Sequence, residues 1–518
     1  MNVKRIICLY GGPGCGKCLK IGTKVIKYDG SVVNIETLKI GDKLLGPDGK
    51  ERSVLKTFSG SEKLYKIIPI KGCPFFVTEN HQLSLVVSSN KCGYKSNQII
   101  NLTIKEILNK PKSLQEKFKL YKSEAIKFRH KKLKIDPYYL GLWLGDGNSD
   151  NISRITTADS MIADYLNKFA KSFNNNLTLK KCKKYLYSLS GTLQKHCEVL
   201  TKPFKEYNLK NNKHIPHAYL TSSIKQRQQL LAGLIDSDGC LFDNCFSITT
   251  KFNRLNDDIL FLARSLGLAA YSSKQYNKKY KKYYNRISIF GNTDQIPTIL
   301  KRKQATKRKI NKNHLRVGFS IEKQKNIDQY FGIELDKDNL FLLEDFTVTH
   351  NSTACAGLYY KLKLAGYECE MNREYIKDWI FQNKQPIHGD QSYFFAKMSR
   401  KERIYMANGL DFIITDSPLI LTHFYGLRYD KFEQLFNTSL SMLKNHHSIC
   451  KENGYKVDHF LLKRVKPYSA LGRLQTEEEA KLIDLEIENM LKGFGIKYNE
   501  VDGDENAVDN IIKFMNNK

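Results

Sequence analysis

The sequence lacks any apolar run approaching the ~20 residues that a membrane-spanning helix requires. It also has no His/Cys cluster at metal-ligand spacing, and its 12 Cys are scattered. We therefore expect a cytoplasmic protein with reduced thiols and no membrane partner. Residues 1–12 hold a short apolar stretch after two basic residues, but glycines and a lysine follow instead of a signal-peptide cleavage site. This stretch is predicted to be a buried first strand.

Acidic residues are scarce relative to basic ones, 53 against 84, which gives a net charge of +31. Residues 18–351 hold 58 Lys and Arg against 30 Asp and Glu, whereas the flanks hold 26 against 23. Such a concentration is typical of a nucleic-acid-binding module inserted into a near-neutral host. A Lys- and Asn-rich composition could also reflect an AT-rich genome, although that would not explain why the flanks escape it. A length of 518 residues indicates about three or four domains.

A phosphate-binding motif is interrupted near the start of the chain. Residues 11–17 read GGPGCGK, but Cys18 stands where the motif requires Ser or Thr. The missing hydroxyl residues occur at Ser352 and Thr353, where apolar residues with helical spacing follow. Joining Lys17 to Ser352 restores the Walker A motif, which binds ATP phosphates through backbone N–H groups and Mg²⁺ through Ser352. The expected nucleotide-binding residues are Gly11, Gly12, Gly14, Gly16, Lys17, Ser352, Thr353 and Asp416.

The inserted block carries motifs at both of its ends. It begins with Cys18, continues through Ile40-Gly-Asp42 and Thr78-Glu-Asn-His81, and ends with His350-Asn351 before Ser352. These motifs resemble those of inteins of the Hint fold with a first Cys and a following Ser.

The resemblance implies protein splicing without a cofactor. Cys18 would convert the Lys17–Cys18 amide to a thioester, with Thr78 polarising that bond and His81 protonating the amine. Ser352 would take the acyl group, and Asn351 would cyclise with the help of His350. Many inteins carry an aspartate in the late strand where this chain has Gly332. This leaves the catalytic roles near Gly332 open, and a degenerate intein that no longer splices is the alternative.

Two further motifs lie within the block. Residues 231–239 read LAGLIDSDG, and a degenerate copy, YLGLWLGDG, occupies 139–147. They resemble the LAGLIDADG (DOD-type) motifs of homing endonucleases, which implies two helices packed through small residues in a pseudo-symmetric monomer. Asp146 and Asp238 would then meet, hold Mg²⁺ and activate water against two phosphodiesters.

Basic residues surround these motifs. Lys213-His-Ile-Pro216 resembles an element that precedes the second motif in intein endonucleases, which implies that Lys213 is an active-site lysine. A second such lysine is expected among Lys301, Lys303 and their neighbours, without a choice between them. The Lys tracts within 140–310 are interleaved with tyrosines and are expected to line a saddle for double-stranded DNA. Homing predicts that the target is the intein-free allele of the same gene.

The flanks together form a host of 184 residues. An apolar strand, Phe412–Thr415, ends in Asp416-Ser-Pro418, which is similar to an element of small nucleoside and nicotinamide-riboside kinases. The resemblance implies an ATP-dependent transfer of phosphate to a small-molecule acceptor, and an ATPase is the alternative.

The predicted protein is multidomain: an all-β Hint domain, an α/β endonuclease domain, and a doubly wound α/β P-loop NTPase that the insertion divides. The predicted boundaries are 1–17 and 352–518 for the host, 18–125 and 311–351 for the Hint domain, and 126–310 for the endonuclease.

Overall fold

A computed structural model provides the structure of the protein. It describes residues 3–10, 18–79, 81–173, 177–191, 198–278, 281–307, 313–336, 339–350, 358–359, 361–363, 365–372, 390–415, 417–430, 433–463, 477–503 and 507–516. Within these ranges no helix is both long and apolar enough to cross a membrane.

Residues 3–121 begin with one buried strand and continue as a mostly β segment. The strands are β1 (Lys4–Tyr10), β2 (Leu19–Lys20), β3 (Lys24–Ile26), β4 (Val32–Asn34), β5 (Lys43–Leu45), β6 (Glu51–Pro69), β7 (Phe75–Val77), β8 (Gln82–Val87), β9 (Ile99–Thr103) and β10 (Phe118–Tyr121). The helices are a 3₁₀ turn at Ile35–Thr37, α1 (Ile104–Leu108) and α2 (Lys112–Gln115). The side chain of Thr103 caps α1 by accepting from the Glu106 N–H, which explains why a helix starts there.

Residues 137–303 alternate helices with short antiparallel sheets. The elements are α3 (Pro137–Asp146), β11 (Arg154–Thr156), α4 (Ser160–Lys171), β12 (Leu177–Lys183), β13 (Leu186–Gly191), α5 (Glu198–Glu206), α6 (His217–Leu220), α7 (Ile224–Asp238), β14 (Gly239–Phe242), β15 (Cys245–Thr250), α8 (Asn253–Ser265), β16 (Ala269–Asn277), β17 (Lys282–Phe290), and 3₁₀ turns at Thr293–Gln295 and Lys301–Lys303. One sheet has the order β11-β13-β12 and follows α3, and the other has the order β14-β15-β17-β16 and follows α7. Each of the two motif helices therefore introduces its own sheet.

The chain then returns to the first β domain. Its strands are β18 (Arg316–Val317), β19 (Phe319–Leu335), β20 (Leu340–Leu342) and β21 (Val348–His350). The long strand β19 pairs antiparallel with β6 and β2, and β18 pairs with β10. Residues before and after the helical segment thus share sheets and one buried apolar core, so they form one domain that the helical segment interrupts.

The final segment is α/β. Its elements are β22 (Cys369–Asn372), α9 (Asp390–Ala407), β23 (Phe412–Thr415), α10 (Leu419–Tyr425), a π turn at Gly426–Asp430, α11 (Glu433–Glu452), β24 (Tyr455–Lys463), α12 (Glu477–Gly493), β25 (Tyr498–Asp502) and α13 (Ala507–Asn516). Its sheet has the order β22-β23-β1-β24-β25, and the pairings are all parallel. The first strand of the chain is therefore the central strand of a sheet whose other strands follow residue 351.

The central position of β1 requires burial on both faces, which its sequence provides. Ile6, Ile7, Leu9 and Tyr10 are all at most 3% exposed, as expected for a strand covered by helices on both sides. The predicted fold is confirmed: a multidomain chain with a β domain, an inserted α/β domain and a doubly wound sheet that the insertion divides. The sheet order also reverses at β1, and ligands bind at such switch points beyond the carboxyl ends of the strands.

Candidate functional site

Helices α3 and α7 approach each other through two glycines. A Cβ on Gly141 would lie 2.2 Å from the Leu230 carbonyl oxygen, and a Cβ on Gly233 would lie 2.2 Å from the Tyr138 carbonyl oxygen. Both distances are far below a van der Waals contact, so neither position tolerates a side chain without a shift of backbone. Each helix begins with a side-chain cap, from Asp136 for α3 and from Ser223 for α7. The predicted packing of the two motif helices through small residues is present.

The close helix contact brings two carboxylates together at the helix ends. A Cβ on Gly145 would lie 3.3 Å from the carboxyl carbon of Asp238, and Asp146 is the next residue in the chain. Burial, followed by repulsion from Asp238, raises the pKa of Asp146 to about 6. Burial also raises the pKa of Asp238. Asp146 is half-buried and Asp238 is exposed, and these two neighbouring acids form a site that a cation would stabilise.

Two buried lysines occupy equivalent places beside these acids. Lys213 Nζ donates to the carbonyl oxygen of Gly145, the residue immediately before Asp146, at 2.8 Å. Lys303 Nζ donates to the carbonyl of Ser237 at 3.1 Å, immediately before Asp238, and to two further carbonyls of α7 at 2.8 Å. Burial lowers the pKa of Lys213 to about 8 and lowers that of Lys303. Lys301 is exposed, so the geometry singles out Lys303 where the sequence left the choice open.

The residues present are compatible with a divalent cation. No group of three or more His, Cys, Asp or Glu in the described part of the chain is arranged to hold a metal ion. Mg²⁺, however, is often held by one or two carboxylates together with water and substrate phosphates. Asp146 and Asp238 supply two carboxylates, and a cleft of about 540 Å³ beside them is lined by Gly145, Lys213, Asp238 and Lys251. A phosphodiester in that cleft would complete such a ligand set.

Both sheets of this domain expose basic and aromatic side chains, and Tyr276 among them lines the cleft. In β12 the residues from Lys180 to Lys183 are mainly exposed, and Lys181 and Lys184 lie over tyrosine rings at 5.9 and 5.2 Å from their centroids. In the second sheet Tyr276 and Tyr283 are 48% and 67% exposed. Parts of the predicted tracts, at 279–280 and 308–312, lie outside the described residues. The combination of lysines and exposed rings is suited to a polyanion.

A second group of candidate site residues lies in the β domain. Cys18 is fully buried and directly precedes β2. Its backbone N–H, which belongs to the Lys17–Cys18 peptide bond, donates to Thr78 Oγ1 at 3.2 Å. The Thr78 N–H in turn donates to the Cys18 carbonyl at 3.1 Å, and the His81 N–H donates to the Thr78 carbonyl at 3.1 Å. The TxxH segment is therefore folded directly against the first residue of the insertion.

One hydrogen bond joins this group to the end of the insertion. His81 Nε2 lies 3.0 Å from Thr349 Oγ1, and both side chains are buried. Thr349 immediately precedes His350, which is 3% exposed and ends β21. Asn351 and Ser352 follow in the sequence but lie outside the described residues. Of the six predicted splicing residues, Cys18, Thr78, His81 and His350 are described, and this network connects them.

The strand opposite Cys18 contains a residue that the sequence did not single out. Tyr330 pairs with Lys20 and Phe331 with Leu19, so the register places Gly332 opposite Cys18. The pKa of Tyr330 is raised to about 12, first by burial and then by Cys18. Gly332 itself supplies no carboxylate opposite Cys18, and the protonated phenol of Tyr330 is one polar group near enough to interact with Cys18. The proximity of Tyr330 to Cys18 follows from the strand register, because the sequence around Tyr330 is that of an ordinary β-strand.

Three family models match separate parts of the chain. Residues 18–136 match the family described as "Hom_end-associated Hint", residues 214–317 match "Homing endonuclease", and residues 358–507 match "AAA domain". The chain contains a Hint intein domain, a homing endonuclease domain and an AAA domain. Each match falls in a different part of the fold, so the three assignments are independent of one another.

Curated relatives are similar to parts of the chain. The replicative DNA helicase DnaB of Mycobacterium intracellulare is 28% identical over 285 residues, which cover 50% of this chain and 44% of the relative. The catalytic subunit of the V-type proton ATPase of Candida tropicalis is 26% identical over 121 residues, which cover 19% of this chain and 11% of the relative. The chain thus spans less than half the length of either. The aligned half of this chain is longer than the 184 residues of the host, so the alignment with the helicase includes part of the intein.

Solved structures give a weaker comparison. The gp41-1 intein is 22% identical, covers 21% of this chain and 69% of its own, and has a TM-score of 0.16. I-DmoI in complex with DNA and Ca is 13% identical, covers 32% of this chain and 93% of its own, and has a TM-score of 0.23. TM-scores this low do not establish a common fold, so the assignment rests on the family matches.

The AAA domain has a buried polar network at the carboxyl ends of its strands. Glu402 of α9 accepts hydrogen bonds from Asn372 Nδ2 at 2.9 Å and from Thr415 Oγ1 at 2.7 Å. Asn372 and Thr415 are register partners that end β22 and β23. The second oxygen of Glu402 lies 2.8 Å from His446 Nε2. The predicted nucleotide-binding residues themselves lie outside the described residues; they are Gly11, Gly12, Gly14, Gly16, Lys17, Ser352, Thr353 and Asp416.

Proposed function

We propose that residues 18–351 excise themselves and join Lys17 to Ser352, with the boundaries predicted from the sequence. The observation that carries this proposal is the hydrogen bond from the Cys18 N–H to Thr78 Oγ1, because that nitrogen is the leaving group of the first step. A hydroxyl oxygen 3.2 Å from the nitrogen orients the scissile amide beside the thiol of the same residue.

The chemistry proceeds in four transfers. The Cys18 sulfur attacks the Lys17 carbonyl carbon, the C–N bond breaks, and the freed Cys18 nitrogen takes a proton with the aid of His81. The Ser352 hydroxyl oxygen attacks the resulting thioester and releases the Cys18 thiol. The side-chain nitrogen of Asn351 then attacks its own carbonyl carbon and breaks the bond to Ser352, while His350 supplies a proton to the Ser352 nitrogen. The freed amine finally displaces the ester oxygen and leaves an ordinary peptide bond.

The intact mass of the purified protein tests this proposal. The wild type is expected to give a 184-residue host and a 334-residue intein, whereas a Cys18→Ala, Asn351→Ala double variant is expected to stay at 518 residues. A wild type that remains at full length would support the alternative of an intein that no longer splices. Separate host fragments without the joined product would indicate cleavage without ligation.

The endonuclease domain is proposed to cut both strands of DNA at the intein-free form of the host gene. Asp146 and Asp238 would hold Mg²⁺, which when bound neutralises the phosphate and generates a nucleophilic water. Lys213 and Lys303, each beside one carboxylate, would stabilise the negative charge of a scissile phosphate. Their symmetry with respect to the two acids supports one lysine for each strand.

A plasmid with the joined host gene tests the endonuclease. Linearisation in Mg²⁺ is expected for the wild type, and a plasmid in which residues 18–351 interrupt the gene should stay circular. Asp238→Asn is expected to abolish cutting while leaving splicing intact. Linearisation of both plasmids to the same extent would refute the proposed target, and linearisation of neither would refute the activity.

The host is proposed to be an ATP- and Mg²⁺-binding kinase for a small molecule once it is spliced. The support is the position of β1 at the switch point of the sheet, next to β23, after which Asp416 follows Thr415 in the sequence. The alternative is an ATPase that transfers phosphate to water. Release of ADP from the spliced host in the absence of any acceptor supports the ATPase, and release that requires a nucleoside or ribosylated base supports the kinase.

A further inference from the structure

The last hairpin of the intein is held by a buried ion pair. Strands β20 and β21 form this hairpin, and its second strand ends at His350. Lys122 Nζ donates to Asp345 Oδ2 at 2.7 Å and to the Asp345 carbonyl at 3.0 Å, from a position 223 residues away. The two side chains are 4% and 5% exposed. The pair therefore joins the two separate segments of the Hint domain at the turn that precedes the C-terminal splice junction.

The same turn has an unfavourable backbone conformation. Phe346, which follows Asp345, has φ +65°, a left-handed value that a bulky residue rarely adopts. Asp345 Oδ1 accepts from the Thr347 N–H at 3.1 Å, and the Phe346 carbonyl accepts from the Ser123 N–H at 3.0 Å. Such a backbone conformation persists only where contacts with neighbouring residues hold it in place. Here those contacts are the hydrogen bonds made by Lys122, Ser123 and Asp345.

Residues of the endonuclease domain also contact this turn. The Phe346 ring packs against Phe261 of α8 at 5.1 Å between centroids. Lys122 Nζ lies 5.3 Å from the Tyr271 ring centroid in β16. Arg264 acts together with Lys122 to lower the pKa of the Asp345 carboxyl, although burial opposes them. Asp345 is thus held as a carboxylate between cations from two domains.

We infer that Lys122 and Asp345 are positioning residues for cleavage at the C-terminal junction, which deepens and rests on the proposed splicing. The pair holds the hairpin turn, the turn sets the register of β21, and β21 determines where His350 lies. The step that depends on this placement is attack of the Asn351 side-chain nitrogen on its own carbonyl carbon, with breakage of the Asn351–Ser352 bond and proton delivery from His350. Formation of the thioester at Cys18 depends less on the pair, because Thr78 and His81 are also fixed by backbone hydrogen bonds to Cys18 and to each other.

Two variants of the full-length chain allow the reaction at each splice junction to be measured separately. In Cys18→Ala, release of residues 352–518 reports cleavage at Asn351 alone. In Asn351→Ala, Ser352→Ala, which also lacks the hydroxyl that would take the acyl group, release of residues 1–17 by dithiothreitol reports the thioester at Cys18 alone. Asp345→Asn is added to each, since it preserves the size of the side chain and removes its charge. Both rates are followed by intact mass.

Asp345→Asn is expected to slow C-terminal cleavage by about ten- to a hundredfold, because a misplacement of ~1 Å can cost about 10²-fold. Thiolysis at Lys17 is expected to change by less than about threefold. Lys122→Met should reproduce this split, and Lys122→Arg should restore most of the rate because it keeps the cation. Glu51→Gln, which removes the carboxylate of an exposed Hint ion pair with Lys43, serves as the matched control and should change neither rate.

An equal fall in both rates would show that the pair only stabilises the fold, and unchanged C-terminal cleavage would show that it does not position the junction. Either result overturns the inference. Failure of the two parent backgrounds to react at all would instead refute splicing itself, and the inference with it.

Discussion

Substitution of Gly233 by Ala tests how the endonuclease site is assembled. In an isolated helix this change is favourable by about 1 kcal/mol. In this chain the added Cβ would lie 2.2 Å from the Tyr138 carbonyl oxygen and 2.9 Å from the Leu142 nitrogen, and both of these are backbone atoms of α3. An ordinary contact begins near 3.4 Å, so α3 and α7 must separate by about 1 Å. Overpacking of this kind costs about 1–3 kcal/mol.

The functional cost is expected to exceed the cost in stability. Asp146 and Asp238 end the two helices, so a separation of the helices also separates the carboxylates. A displacement of ~1 Å at a catalytic site can reduce the rate about 10²-fold. We therefore predict that Gly233→Ala lowers the rate of DNA cleavage about a hundredfold under saturating enzyme, while splicing is unchanged because the junction residues lie in the Hint domain.

The assay compares cleavage of the joined-gene plasmid, the yield of spliced host and the unfolding temperature of the intein. Gly318→Ala is the matched control within the same intein, because a Cβ there would come closest to the end of the Ile70 side chain, at 2.7 Å, and would otherwise make an ordinary contact with Lys119 Nζ at 3.5 Å. Ile70 is 78% exposed and can move aside. Cleavage by Gly233→Ala within about twofold of the wild type would refute the reasoning, since close contact of the helices would then not determine the geometry of the acids.

Three further predictions concern individual charged groups. Burial and Asp238 raise the pKa of Asp146 to about 6, so its ionised form destabilises the fold above that pH, and this cost disappears below about pH 4. Asp146→Asn should therefore increase the free energy of unfolding of the intein at pH 7.5, by at most about 3 kcal/mol, and raise its unfolding temperature, with no such effect at pH 4. An equal effect at both pH values would contradict the raised pKa. Lys303→Met should lower plasmid cleavage at least about tenfold, whereas the same change at exposed Lys301 should have little effect; equal losses would remove the distinction between them. In the host, Glu402→Leu leaves the donors of its buried partners unpaired and should cost about 1–3 kcal/mol for each, measured by denaturation of the spliced host, where an unchanged midpoint would contradict the network.

The kinds of domain could be predicted from the sequence, and the candidate site residues could be proposed from local motifs. Cys18, the Thr78–His81 segment and the two acidic helix ends each stand in short stretches whose residue types already indicate their chemistry. The parallel sheet was also predictable, because an apolar strand before a glycine-rich loop and a helix is typical of that fold. The fold class is confirmed on these grounds.

The remaining features depend on contacts between distant parts of the chain. The choice of Lys303 over Lys301 depends on which of two neighbouring lysines faces α7, and a 3₁₀ turn decides this. The contact of His81 with Thr349 spans 268 residues, and that of Lys122 with Asp345 spans 223. Such pairs follow from strand register and domain packing, which residue patterns do not encode locally. The place of Gly332 opposite Cys18 was likewise visible only from the register.

The most direct test of the account is a tandem mass spectrum of the ligated junction. Chymotryptic cleavage after Tyr10 and Leu358 would release a peptide that contains Lys17 joined to Ser352, and this peptide does not exist in the unspliced chain. We predict that the wild type gives this peptide and that the Cys18→Ala, Asn351→Ala double variant does not. If the wild type gives only peptides that continue from Lys17 into Cys18 and from Asn351 into Ser352, splicing of this chain is contradicted.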